Sequence, residues 1–179
     1  DIAPPHQLPD VASSKTEAVH THLDWVGMKG IEVPILVSSI RVPARVSAFV
    51  SLDRESVRGI HMSRLFKLTQ EKLSRHELDW GLIEELLAQY LQSHVELSHS
   101  AKLSVDFEAM ILRKALRSEN RAWRSYPVKI WGVSDKGRLR MGLEVTVTYS
   151  STCPASAALS RQLIQENFKN HFRGTEELD

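Results

Sequence analysis

The sequence predicts an α+β fold, an antiparallel β-sheet with helices packed on one face, and three observations carry that prediction. Apolar and polar residues alternate in runs before Leu52 and again after Leu103. Between those runs the apolar residues recur every three or four positions, the period of a helix that buries one stripe. Asp135-Lys136-Gly137 then supplies turn chemistry between two alternating runs, which marks a hairpin. Hairpin-linked strands need only one covered face, and a helix pair inserted between strands provides the cover. The expected order is ββααββ with a further helix at the end.

Taken in order, residues 1–19 contain Pro4, Pro5 and Pro9 and the polar stretch from Ser13 to Glu17, and read as an extended arm. From His20 to Val37 apolar residues are broken by Gly27, Gly30 and Pro34, which suits an extended segment with a bulge or irregular edge. Arg45 to Leu52 is a half-buried strand with Val46, Ala48, Val50 and Leu52 on one face. After Gly59 the period changes. Met62, Leu65, Phe66 and Leu73 fit one helix, and Leu82, Ile83, Leu86, Leu87, Tyr90 and Leu91 fit a second. Leu103, Val105 and Phe107 return the chain to strand, and the basic stretch from Arg113 to Arg124 reads as a connection. Val128 and Ile130 open the hairpin, whose second strand runs from Arg138 to Tyr149. Pro154 suits the first position of a last helix, since its missing N–H would be unpaired there, and helix-compatible residues follow from Ala155 to Phe172. The organisation expected is therefore an arm over 1–19, a module over 20–150, and a turn and connector helix over 151–179.

A chain of 179 residues suits one well-buried domain, and 42% hydrophobic and 25% charged residues describe an ordinary globular one. A net charge of +1 is too small an excess for a general nucleic-acid surface. One cysteine excludes an intrachain disulfide, and neither a run of 18 apolar residues nor a leader pattern is present, so no membrane partner is expected and cytoplasm is the default compartment. The polar close from Gly174 to Asp179 reads as an interruption, and a further piece is expected on that side.

The single thiol is the best lead to chemistry. Thr152 or Cys153 can serve as N-cap of the last helix, which places the thiol at the positive helix end where a thiolate, the attacking or metal-binding form, is stabilised. The plainer alternative is a small buried hydrophobe. His20 and His22 bracket Thr21 and point the same way on a strand, so they could hold a metal, but no third ligand accompanies them in sequence. His61 begins a helix, where it could reach substrate or metal, or serve a cap or subunit contact. Arg64, one turn on, could pair bidentately with a phosphate or lie at an interface. Arg113, Lys114, Arg117, Arg121 and Arg124 surround Trp123 as a candidate triphosphate or nucleic-acid patch, though such runs are more often solvated loops or subunit contacts. No Gly-rich phosphate loop, Ser-His-Asp order or CxxC pair appears.

Three segments together resemble type IB GTP cyclohydrolase I, an enzyme family of pterin synthesis built on the tunnelling fold: Val26-Gly27-Met28-Lys29-Gly30-Ile31, Gly59-Ile60-His61-Met62-Ser63-Arg64, and Ser151-Thr152-Cys153-Pro154. The resemblance runs from about Leu8 to Phe172, with the His-Met-Ser-Arg segment and the Cys-Pro step its most specific parts. It implies a metal-dependent hydrolase, acting on a cyclic amidine, that opens the imidazole ring of GTP, releases C8 as formate and yields 7,8-dihydroneopterin triphosphate, the first step of tetrahydrofolate and pterin biosynthesis. A bound Zn²⁺ or Mn²⁺ would lower the pKa of its water from about 16 toward 7. Cys153 would be a ligand of that metal or assist attack at C8, and His61 and Arg64 would contact substrate. Self-association as a dimer or tetramer is implied too, because tunnelling-fold sheets close into barrels between modules and exposed sheet edges invite pairing.

The chain also departs from the family. Cys153-Pro154-Ala155-Ser156 stands where the family often has Cys-Pro-Cys-Ser, and neither the family's His-x-Gln-Arg-Ser segment nor its purine-anchoring glutamate follows Phe172. The resemblance thus covers a first module and the start of a connector, expected to be inactive alone. Two alternatives are a catalytically incomplete tunnelling-fold assembly module and, within the fold, a thiolate-dependent nitrile reductase.

Overall fold

The alternating runs form five strands and the three-four runs form helices, in the order β1 (Leu23–Val37), β2 (Ile40–Leu52), α1 (Met62–Arg75), α2 (Trp80–Ser93), β3 (Ser100–Lys114), β4 (Arg121–Asp135), β5 (Arg138–Val145) and α3 (Pro154–Phe172). The computed structural model describes residues 22–54, 57, 59–115, 119–151 and 153–172; the expected arm, His20, Arg117 and Thr152 lie outside them. The chain divides into two units, residues 1–146 and residues 147–179, each described by itself.

In the first unit the strands form one antiparallel sheet in sequence order, β1-β2-β3-β4-β5, so the helix pair between β2 and β3 crosses one face without altering neighbour order. The α+β class with helices on one face is what the periodicity predicts. Five strands rather than the expected four make up the sheet, because three strands, β3, β4 and β5, follow the helix pair where the expected order has two; before it, residues 23–37 and 40–52 are joined at Ser38 and Ser39, both at positive φ (49° and 63°). Two successive left-handed residues give the tight hairpin turn that matches strand twist, here without the usual glycine. Lys136 (φ 47°) and Gly137 (φ 83°) repeat the arrangement between β4 and β5.

Residues directly opposed across the ladder share a face. Val46, Val105, Ile130 and Leu143 lie in one row beneath the helices, and Ala48, Leu103, Gly132 and Met141 in the next. Ile35, Val46, Val50, Leu103 and Val105 are fully buried there against Leu65 and Leu73 of α1 and Ile83, Leu86 and Leu87 of α2. A Cβ on Gly132 would sit 2.7 Å from Ile83 Cγ2 and 2.9 Å from Leu87 Cδ1, so this glycine is what lets α2 lie close to β4. A polar knot between the helices is satisfied: Tyr90 OH and Thr69 Oγ1 meet at 2.6 Å, and Thr69 donates to Leu65 O at 2.7 Å.

Several boundaries differ from the sequence expectation for physical reasons. Met62 and Phe66 are exposed, since α1 buries the stripe Leu65, Thr69 and Leu73. β5 ends at Val145 rather than Tyr149; Val145 is the last residue opposite β4, and Thr146 N–H closes on Pro127 O at 2.9 Å. The basic stretch from Arg113 to Arg124 is not a loose connection, because β3 runs to Lys114 and pairs with β4 from Arg121. The expected bulge is present: register shifts fall between Leu23 and Val26 and between Met28 and Ile31, Gly30 has φ 72°, and a Cβ on Gly27 would collide with Ala48 O at 2.0 Å. Glycine at both positions is thus a backbone requirement of the edge strand.

Neither α1 nor α2 lies on the sheet's other face. Glu32, Arg45, Asp106, Lys129 and Glu144 form a row of alternating charge across all five strands, with Arg45 Nε 3.8 Å from Glu32 and Lys129 Nζ 3.3 Å from Asp106. A cleft of about 880 Å³ opens along this row.

Candidate functional site

Cys153 belongs to the second unit and immediately precedes α3. Its carbonyl accepts the first intrahelical bond, from Ala157 N–H at 3.0 Å, and its Sγ accepts Ser156 N–H at 3.3 Å. That is N-cap geometry with sulfur as the capping atom, and Pro154 in the next position needs no partner for a missing N–H. The Ser156 hydroxyl lies 2.9 Å from the same sulfur. The thiol is free and exposed in this chain. Its pKa is held below the ordinary thiol value, first by the Ser156 hydroxyl, then by the Ser156 N–H, with a further part from Ala155 N–H. A thiolate placed this way is available as nucleophile or ligand.

His61 and Arg64 lie in the first unit, at the entry to α1. His61 occupies the N-cap position, but its side chain makes no capping hydrogen bond. Arg64 Nη1 donates to Ser93 O at 2.7 Å, putting a cation on the carbonyl end of α2. Beside His61 lies His94, which no sequence pattern singled out: it is 2% exposed, and its ring centroid is 5.9 Å from that of His61. His94 Nδ1 faces Tyr90 O at 3.0 Å and Ser93 Oγ at 2.9 Å, whereas its buried Nε2 has no hydrogen bond of normal geometry. Burial, and then the nearby His61 and Arg64, hold its pKa below the ordinary histidine value against the opposing pull of the Tyr90 carbonyl. His94 is therefore neutral near pH 7.

His22 faces Asp53, with Nδ1 3.0 Å from Oδ1 and its Nε2 3.1 Å from Asp24 Oδ1. His99 holds the other Asp53 oxygen from its Nδ1 at 2.9 Å and its N–H at 2.8 Å, and Ser51 Oγ donates there at 2.7 Å. Burial opposes ionisation of Asp53, but the hydrogen bonds from Ser51 and His99 and the charge of His22 outweigh it, so its carboxyl titrates below the usual value. These contacts pin the ends of β1, β2 and β3 together. Among the described residues no group of three or more His, Cys, Asp or Glu side chains is arranged to hold a metal ion. They do not by themselves constitute a metal centre; Cys153 offers one donor.

Residues 8–175 match the model of the family described as type I GTP cyclohydrolase folE2. The chain belongs to that family. Its similarity to individual members is high: 50% identity to GTP cyclohydrolase FolE2 of Bdellovibrio bacteriovorus over 96% of this chain and 58% of that protein. It is 40% identical to GTP cyclohydrolase FolE2 of Hydrogenovibrio crunogenus and 42% to that of Xanthomonas campestris pv. campestris, each over 93% of this chain and 55% of the relative. The chain thus spans little more than half the length of these curated relatives. Among solved structures, a highly active BTUO mutant aligns with TM-score 0.40 and 10% identity over 72% of this chain and 62% of that one, a likeness too loose to bear on the fold. No helix among the described residues is long and apolar enough to cross a membrane.

Of the family segments, the first forms the bulge of β1, the second the entry to α1, and the third the cap of α3. Ser156 is the site residue that sequence reasoning passed over. The signal was its place three residues after the cap, from which a side chain and N–H both reach back.

Proposed function

We propose that this chain is the first, tunnelling-fold module of a type IB GTP cyclohydrolase I and that Cys153 is its reactive group. The observation that carries the reading is the exposed Cys153 thiol at the N-cap of α3, held toward its thiolate form by Ser156. The five-stranded sheet with helices on one face and membership of the GTP cyclohydrolase family support it. The reaction proposed is hydrolysis of GTP, with net uptake of one water, to 7,8-dihydroneopterin triphosphate and formate. An enzyme for this reaction must engage C8 of the purine, which leaves as formate, and a thiolate on a rigid helix end can act there or bind a metal that does. The cofactor proposed is a divalent ion, Zn²⁺ or Mn²⁺, for which Cys153 supplies one donor and residues outside those described supply the rest. Arg64 commits one N–H to Ser93 O, and the remaining N–H groups of its guanidinium are proposed to meet a GTP phosphate, with His61 beside it. A homo-oligomeric, cytoplasmic enzyme completes the proposal.

The second reading, an assembly module without its own activity, is favoured by the lack of a metal-holding group among the described residues. The two are separated by assaying a protein of the relatives' length with GTP and divalent metal, following formate and pterin fluorescence. The enzyme reading expects turnover in the parent and loss of at least about a thousandfold in Cys153→Ala with an unchanged circular dichroism spectrum. Turnover near the parent level in that variant would remove Cys153 from the chemistry.

A further inference from the structure

β3 and β4 outrun the rest of the sheet. Pairing of β2 with β3 ends at Ala44 opposite Phe107, and pairing of β5 with β4 ends at Val128 opposite Val145, so beyond the Thr146 N–H bond to Pro127 O the ladder residues 108–114 and 121–127 pair with each other. They form a two-stranded arm. Two strands alone are marginal in water, and this arm displays Met110, Leu112 and Trp123 at 52%, 42% and 59% exposure. All three lie on the side away from α1 and α2, because they fall at even steps from the Asp106–Lys129 pair along an unbroken register.

Along that side the arm reads, from base to tip, Glu108 opposite Pro127, Met110 opposite Ser125, Leu112 opposite Trp123, and Lys114 opposite Arg121. The sequence of characters is acidic, apolar, apolar, basic. A pattern acidic at one end and basic at the other is complementary to itself when reversed. Packing two such faces about a two-fold axis perpendicular to the strands sets Glu108 of one copy over Lys114 of the other and Met110 over Leu112. The same rotation sets Pro127 over Arg121, so both tip cations arrive at the row that carries Glu108. Rotation about an axis along the strands would instead stack Lys114 on Arg121 at the tip and leave Glu108 over Pro127 at the base. Lys114 Nζ holds Glu119 at 2.7 Å, whereas Arg121 has no ion-pair partner among the described residues, and Glu108 accepts a hydrogen bond from Ser125.

We propose that the face of this arm away from α1 and α2 is a two-fold contact between two copies of the chain, with Met110, Leu112 and Trp123 as its apolar centre and Glu108 against Lys114 and Arg121 at each end. The apolar patch supplies the affinity and the charge order fixes the antiparallel register. A contact made through sheet edges alone would be indifferent to these side chains.

The test is charge reversal read by sedimentation equilibrium on the purified chain, with circular dichroism as the check on folding. Glu108→Lys alone, and Lys114→Glu with Arg121→Glu, should each weaken self-association by about tenfold or more, since each brings like charges together. An equimolar mixture of the two variants should form heterodimers, and one chain carrying all three changes should regain the wild-type association. A wild-type chain that stays monomeric at about 100 µM, reversals that leave the mass unchanged, or two folded variants that fail to pair with each other would overturn the proposal.

Discussion

At the scale of single residues, the capped thiol is where sequence and chemistry meet. A sulfur that accepts both an N–H and a hydroxyl from Ser156 is stabilised as the anion, and the hydroxyl is the larger of the two contributions. Ser156→Ala removes that contribution and keeps the backbone N–H. The expected outcome is an upward move of the Cys153 titration, seen as slower iodoacetamide alkylation near neutral pH and a later rise of thiolate absorbance. Cys153→Ser in the same assay gives the blank, because Cys153 is the only cysteine. An alkylation profile unchanged by Ser156→Ala would mean that the helix terminus alone sets the thiol. The Cys-Pro step was legible in sequence because proline at a first helical position is a local, one-residue rule. Ser156 was not, since one serine in a helical first turn looks like any other until the sulfur is placed beside it.

At the scale of elements, His94 ties the end of α2 to the start of α1, and its burial makes that junction sensitive to acid. Its folded pKa lies below the ordinary 6.5, so the unfolded chain takes up the proton first as pH falls. Stability is therefore complete above about pH 6.5 and declines as pH drops from there toward the folded value. The melting temperature of the wild type should fall between about pH 7.5 and 5, and the fall should be shallower in His94→Gln, which cannot be charged. Asp53 titrates in a different window, below its ordinary 3.8, and loses stability only under stronger acid, so the two effects separate on the pH axis. A slope between about pH 7.5 and 5 equal in both proteins would show that His94 carries no linkage. Gly132→Ala probes the helix layer: a methyl 2.7 Å from Ile83 Cγ2 overpacks the face under α2. A loss of about 1–3 kcal/mol in urea unfolding is expected.

The helix stripe of α2 was fully readable, since Leu82, Ile83, Leu86, Leu87 and Tyr90 all turn inward. In α1, Phe66 matched the period but lies one step off the buried line that Thr69 shares, because a polar residue can join the core once Tyr90 satisfies it. Strand ends were the weakest reading. Ser38-Ser39 carries no glycine to announce a turn, and the long β3–β4 pairing is held by main-chain bonds that leave no periodic mark in a basic stretch.

For the whole molecule, the relatives' greater length and the lack of a group of three or more metal-holding side chains among the described residues lead to one expectation: this chain alone binds Zn²⁺ or Mn²⁺ weakly. Tight sites take three or more protein ligands. Stoichiometric, submicromolar binding in equilibrium dialysis would show that histidines of this chain complete the site after all. What the sequence made legible at this scale was the class of fold and the family, from three short segments and the switch of period. The clustering of His22, Asp53 and His99 was hidden, because three strand ends far apart in sequence meet only once the register is set. The central claim, that the Ser156-supported thiolate of Cys153 does the chemistry of a GTP cyclohydrolase, is tested most directly by the pH dependence of kcat/KM for GTP in a protein of the relatives' length. The account predicts an acidic limb that coincides with the Cys153 titration measured by alkylation, and a Ser156→Ala variant in which both move upward together. A limb that stays in place while the alkylation profile moves would contradict it.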